Sequence, residues 1–177
     1  MSPPAEKFAV ILIDAVPTDP CYVPDLVTEL DKMAAVLSRA NMLNIPVFEV
    51  RSCSNDLFIG RTCTVTNPQL TVFSASNWQV VEKLGFDAFK ETDLEQRLTD
   101  EGITSLIVMG YHEAVCVRFT IESALQTGFM VYTSMDVVQG PKYDPYDSSD
   151  ERTKKEVKRF YNESPILVDN YLELPIF

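Results

Sequence analysis

The chain of 177 residues predicts an α/β fold: three layers, α/β/α, around a mainly parallel, Rossmann-like sheet of five or six strands. Three observations point there. Short continuous apolar runs recur and stop at turn residues, the pattern of strands buried on both faces. Between them lie stretches whose apolar positions repeat at helical spacing. No repeat, low-complexity tract or Gly/Ser linker interrupts the alternation, so one domain over residues 1–177 is expected. Strand–helix–strand units of this kind close by right-handed crossovers that put helices on both faces of the sheet.

The elements follow in order. "FAVILID" (8–14) is a buried strand bounded by a turn. "VPDLVTELDKMAAVLSRANMLN" sets Leu26, Leu30, Met33, Leu37 and Ala40 on one helical face, with Pro24 near its start. "IPVFEV" (45–50) is strand-like. Residues 51–81 carry weaker signals: "RTCTVT" suits a short strand, and "SASNWQVVEK" a helix or a loop. In "TDLE", Thr92 and Glu95 stand at capping-box spacing and open a helix that ends near Gly102. "ITSLIVMG" is a further buried strand, "AVCVRFTIESALQTG" a helix closed by Gly128, and "FMVYTSMD" another strand. "SSDERTKKEVKRFY" opens a last helix, with Ser148 and Glu151 at capping-box spacing, and "PILV" suits an edge strand.

Composition narrows the function. Hydrophobic residues at 46% and charged residues at 23% are ordinary for a globular chain. A net charge of -11 argues against a nucleic-acid partner, since phosphate contacts need clustered Lys and Arg. "MSPPAEKF" has no signal core and no run is long enough to span a bilayer, so a cytoplasmic location without membrane contact is expected. Cys21, Cys53, Cys63 and Cys116 show no C-x-x-C spacing and are expected as four free thiols. With a single histidine, a zinc site can barely be assembled, and neither metal nor cofactor is expected.

"GYHEAVCVRF" (110–119) holds the histidine and Cys116 just after an apolar strand. Ligands of parallel sheets bind beyond the carboxyl ends of the strands, which is where Cys116 and Asp14 both fall. A thiol at a helix N-terminus is biased toward thiolate, and the free amides there can hold an oxyanion. The bland alternative is a small buried side chain. Asp14, directly after an apolar strand, suits proton transfer, or else caps the turn in "DAVPTDP". These residues alone leave both alternatives open.

"LIVMGYHEAVCVRFTIESALQTGFMVYTSMDVV" resembles the core signature of the isochorismatase-like cysteine hydrolases, through Gly110, Cys116, Val117, Thr120, Ala124, Gly128 and Asp136. "FAVILIDAV" is similar to the family's first strand, and "VVEKLGFDAFKETDLEQRLTDEGI" to its lysine segment, with Ala88, Phe89, Thr92 and Leu94 as landmarks. The resemblance implies Cys116 as nucleophile, Asp14 as acid/base and Lys83 as the charge that stabilises them. It further implies an oxyanion hole from the backbone N–H groups of His112 and Cys116, a cis peptide between Tyr111 and His112, and a homo-oligomer, dimer or tetramer. The implied activity is metal-independent hydrolysis of a small amide or other C–N substrate through a thioester.

Departures from the family pattern leave other outcomes open. "AVPTDP" replaces the usual stretch after the acid/base, and Glu113 and Ala114 replace the usual Thr and Asp before the cysteine. A second carboxylate there would repel a thiolate or select a cationic substrate. "VFEVRSCSNDLFIGRTCTV" lacks the histidines of a metal-dependent nicotinamidase. Vinyl ether hydrolysis by Asp14 and Lys83 alone, or an inactive binding or scaffold member, are the alternatives. Trp78, Tyr111, Glu113, Phe119 and Phe73 are candidate pocket residues, the aromatics equally candidates for core. Arg51 and Arg61 either meet a substrate carboxylate or form surface ion pairs.

Overall fold

The computed structural model describes residues 6–17, 26–56, 60–140 and 151–177. Strand β1 (Phe8–Ile13) is flanked in parallel by β2 (Val47–Asp56) and β5 (Ser105–Tyr111). Beyond β2 lies β4 (Trp78–Lys83); beyond β5 lie β6 (Met130–Ser134) and β8 (Ile166–Val168), all parallel. The order β4-β2-β1-β5-β6-β8 reverses direction of travel between β1 and β5, which makes that boundary the switch point of the sheet. Two short strands complete an eight-stranded sheet: β3 (Gly60–Cys63), antiparallel to β2, and β7 (Val138–Gln139) at the tip of β5.

Both faces of the sheet are covered, which is why β1 and β5 are apolar almost throughout. On one face, Leu30, Met33, Leu37 and Ala40 of α1 (Leu26–Met42) pack against Val10, Leu12, Val47, Ile107 and Met109. On the other, α3 (Leu94–Asp100), α4 (Arg118–Gln126) and α5 (Glu151–Glu163) press Leu94, Leu98, Ile121, Ala124 and Val157 onto Ile11, Ile13, Phe48 and Val108. Each fully buried Leu, Ile or Met among these contributes roughly 1.5–3 kcal/mol. A single-turn helix, α2 (Pro68–Thr71), starts at Asn67, whose side chain accepts a hydrogen bond from the Gln69 amide.

Several expectations are corrected. "NWQVVEK" is strand β4: it lies at the sheet edge, paired only with β2, so just Val81 and Lys83 are buried and no continuous apolar run marks it. The helix after Thr92 has Asp93 as its cap, and no capping box forms. The Thr92 hydroxyl instead accepts from the Leu94 amide at 3.2 Å while donating to the Ala88 carbonyl at 2.5 Å. The proposed cap at Ser148 lies outside the described residues. Cys53 and Cys63 form a disulfide, because the antiparallel register of β2 and β3 sets them directly opposite, 4.0 Å apart at Cα. Cys116 is a free thiol, and Cys21 lies outside the described residues. Among the described residues no helix is long and apolar enough to cross a membrane.

Candidate active site

Three strand ends meet beside the switch point. β1 stops at Ile13, and Asp14 takes a left-handed backbone with φ +45° while its amide still donates to the Val50 carbonyl at 2.9 Å. That conformation costs most side chains energy, although Asp tolerates it better than most. Lys83 is the last residue of β4 and stands in register with Ser52 of β2. It is 1% exposed, so its ammonium has to find partners inside the protein. β5 brings the third group: the Tyr111–His112 peptide is cis, and the wide turn Glu113–Val117 carries Cys116 straight into α4. The His112 carbonyl accepts from the amides of Val115 and Val117 at 3.1 and 3.0 Å, which closes the turn.

Gly110 permits this approach. Its φ is +126°, and an added Cβ would sit 2.0 Å from the Ile13 carbonyl oxygen. Any side chain there would drive β5 away from β1 at the level of the site.

The resulting geometry is compact. Lys83 Nζ lies 2.7 Å from Asp14 Oδ2 in an ion pair. It donates to Ser52 Oγ at 2.7 Å, to the Gly85 carbonyl at 3.0 Å and to Cys116 Sγ at 3.5 Å. The Ser52 amide donates to Asp14 Oδ1 at 2.8 Å, and the carboxylate in turn hydrogen-bonds the Cys116 thiol. Asp14, Lys83 and Cys116, distant in the chain, are thus brought together.

Burial pushes the Cys116 thiol above its ordinary value; the Lys83 charge pulls it down, and the Asp14 charge and hydrogen bond push it further up. This direction opposes the bias toward thiolate expected at a helix start: Cys116 sits within the turn that precedes α4 and packs against the core, out of water. Burial and the neighbouring carboxylate thus favour the neutral thiol, against the pull of Lys83.

The candidate pocket residues separate. Trp78 is at the opposite end of β4 from Lys83, roughly 16 Å along the strand. It packs with Phe73 under the α1 face and donates to Glu49 Oε2 at 2.6 Å. Tyr111 also points to the α1 face, away from the core that supports Cys116. Burial raises the Tyr111 hydroxyl far above its ordinary range.

Glu113 stays on the Cys116 turn, its side chain against Gly140 and its carbonyl accepting from Tyr161 Oη at 2.7 Å; burial pushes its carboxyl up. Phe119 is half-exposed and stacks on Phe86 with ring centroids 6.2 Å apart, beside the loop that follows Lys83. That loop is fixed to α4 by Ala88 N to Thr120 Oγ1 and Ser123 Oγ to Asp87 Oδ2, at 3.1 and 2.6 Å. Arg51 and Arg61 are committed to Glu49 and Glu82, at 2.6 and 3.1 Å. Asp136 pairs with Lys32 at 2.6 Å. Among the described residues, Cys53, Cys63 and Glu82 are close enough to share a metal ion, but both sulfurs belong to the disulfide.

Residues 9–160 match the family model described as Isochorismatase domain. The chain belongs to the isochorismatase family. It is 31% identical to N-carbamoylsarcosine amidase of Arthrobacter sp. over 68% of this chain and 55% of the relative. It is 40% identical to nicotinamidase of Escherichia coli (strain K12) over 34% of this chain and 28% of the relative. The chain therefore spans about half the length of one curated relative and under a third of the other. Its fold is shared with a cysteine hydrolase from Pseudomonas syringae: TM-score 0.79, 19% identity, covering 98% of this chain and 96% of that one.

Within this isochorismatase-family site, sequence reasoning missed Ser52 and Gly85. Both bind Lys83, one from strand register and the other through a carbonyl that any residue carries. No residue-type signal marks such partners.

Proposed function

We propose that the chain is a cysteine hydrolase that cleaves a small amide or carbamoyl substrate at its C–N bond, with no metal taking part. The observation that carries this is the contact of one buried ammonium with both an acid and a thiol: Lys83 Nζ is 2.7 Å from Asp14 and 3.5 Å from Cys116. The kinship with N-carbamoylsarcosine amidase and nicotinamidase supports the amide substrate class.

Asp14 takes the thiol proton of Cys116 as the sulfur attacks the carbonyl carbon, so the thiolate need not accumulate beforehand. Lys83 offsets the negative charge that then moves from carboxylate to sulfur. The carbonyl oxygen becomes an oxyanion held by the amides of His112 and Cys116, a contribution usually worth several kcal/mol. The C–N bond breaks as Asp14 returns the proton to the departing nitrogen. Water, deprotonated by Asp14, attacks the thioester, releasing the acid and restoring the thiol.

The test is ammonia release from a panel of small amides, carbamoyl compounds and nicotinamide, with Cys116→Ala as control. Activity on at least one substrate should fall by about 10⁴-fold or more in the variant. Hydrolysis retained by Cys116→Ala would overturn the nucleophile assignment and leave Asp14 and Lys83 acting without it.

A further inference from the structure

We propose that Ser52 is a positioning residue that aims Lys83 at the nucleophile. An ammonium has three hydrogens. Here four acceptors surround it: Ser52 Oγ and Asp14 Oδ2, each at 2.7 Å, the Gly85 carbonyl at 3.0 Å and Cys116 Sγ at 3.5 Å. With four acceptors for three hydrogens, the groups compete, and Asp14 Oδ2 is as near as Ser52 Oγ. A carboxylate is the stronger acceptor. The Ser52 hydroxyl and the Gly85 carbonyl fix the ammonium's position, so that it reaches the sulfur as well as the carboxylate.

Ser52 is itself held on both sides. Its amide donates to Asp14 Oδ1 at 2.8 Å, and its carbonyl accepts from the Thr64 amide at 2.8 Å. Its register partner across the β2–β4 ladder is Lys83. One residue therefore orients the acid through its backbone and the base's counter-charge through its hydroxyl. Without the hydroxyl, the ammonium is free to tilt from sulfur toward the carboxylate, and the thiolate loses the neighbouring charge that favours it.

The inference rests on Cys116 being the nucleophile, and the test separates the two. The rate of iodoacetamide alkylation at Cys116, read by peptide mass spectrometry, is followed against pH in the parent, Ser52→Ala, Ser52→Thr and Ser52→Val. Thr and Val have the same shape and both suit a strand, so they differ only in the hydroxyl. Ser52→Ala and Ser52→Val should move the midpoint up by about one pH unit and lower kcat/KM for amide hydrolysis about tenfold, mostly in kcat. Ser52→Thr should keep the parental midpoint. Equal midpoints in all four proteins, or equal shifts in Thr and Val, would overturn the role of Ser52. A Cys116→Ala protein that still hydrolyses amides would instead sink the nucleophile assignment, leaving the titration of Ser52 variants intact.

Discussion

Asp14 at the tip of β1 and Glu49 near the start of β2 are both buried, and their surroundings differ in kind. Glu49 is closed. It accepts from Arg51 Nε and Trp78 Nε1, each at 2.6 Å, and from the Thr66 hydroxyl, all donors fixed by the fold. Burial alone would raise its carboxyl, but the hydrogen bonds from Arg51, Thr66 and Trp78 outweigh burial and hold it below the usual range. Asp14 is open. One oxygen has the Ser52 amide, the other the Lys83 ammonium, and the remaining neighbour is the Cys116 thiol rather than a further fixed donor. A buried carboxylate saturated by fixed donors can only hold structure together. One left partly unsaturated beside an acidic proton can exchange it.

The sharpest way to break this contrast is to neutralise each acid. Asp14→Asn should lower amide turnover by about 10³-fold or more with the fold intact, because the group that accepts and returns the proton is lost. Glu49→Gln should change kcat/KM by less than about threefold. Comparable losses in both would mean that Asp14 acts only by holding the site together.

Stability should rank them the other way. Glu49→Gln leaves a buried donor without its charged acceptor and should cost about 1–3 kcal/mol in urea unfolding, more than Asp14→Asn. The pH dependence carries the same signature. A carboxyl held below its unfolded value contributes stability that is fully present above about pH 4.5, the ordinary glutamate value, and is lost as pH falls through the lowered folded value. Urea midpoints measured from neutral to acid pH should fall less steeply in Glu49→Gln than in the parent. An unchanged slope would show that Glu49 is not held as described.

What the sequence made legible follows the same division between pattern and register. β1, β5 and the helices α1 and α4 show in apolar periodicity because their faces are buried along their whole length. β4 does not, since an edge strand with Val80 partly exposed and Lys83 buried breaks the apolar run. The positions of Asp14, Lys83 and Cys116 were legible through the motifs around them, whereas Ser52 acts through cross-strand pairing that local sequence does not encode. The Cys53–Cys63 disulfide was missed for a related reason. Cysteine spacing along the chain does not show it, because the antiparallel register of β2 and β3 is what sets Cys53 opposite Cys63.

The most direct measurement of the central claim, that the Asp14 carboxylate and the Lys83 ammonium act in opposite directions on the Cys116 thiol, is the Cys116 thiolate absorbance followed against pH in the parent and two variants. Removing the carboxylate charge in Asp14→Asn should lower the midpoint while abolishing turnover, and removing the ammonium in Lys83→Met should raise it. The expected displacements are opposite in sign and about one pH unit or more each. Identical midpoints in all three proteins would contradict it.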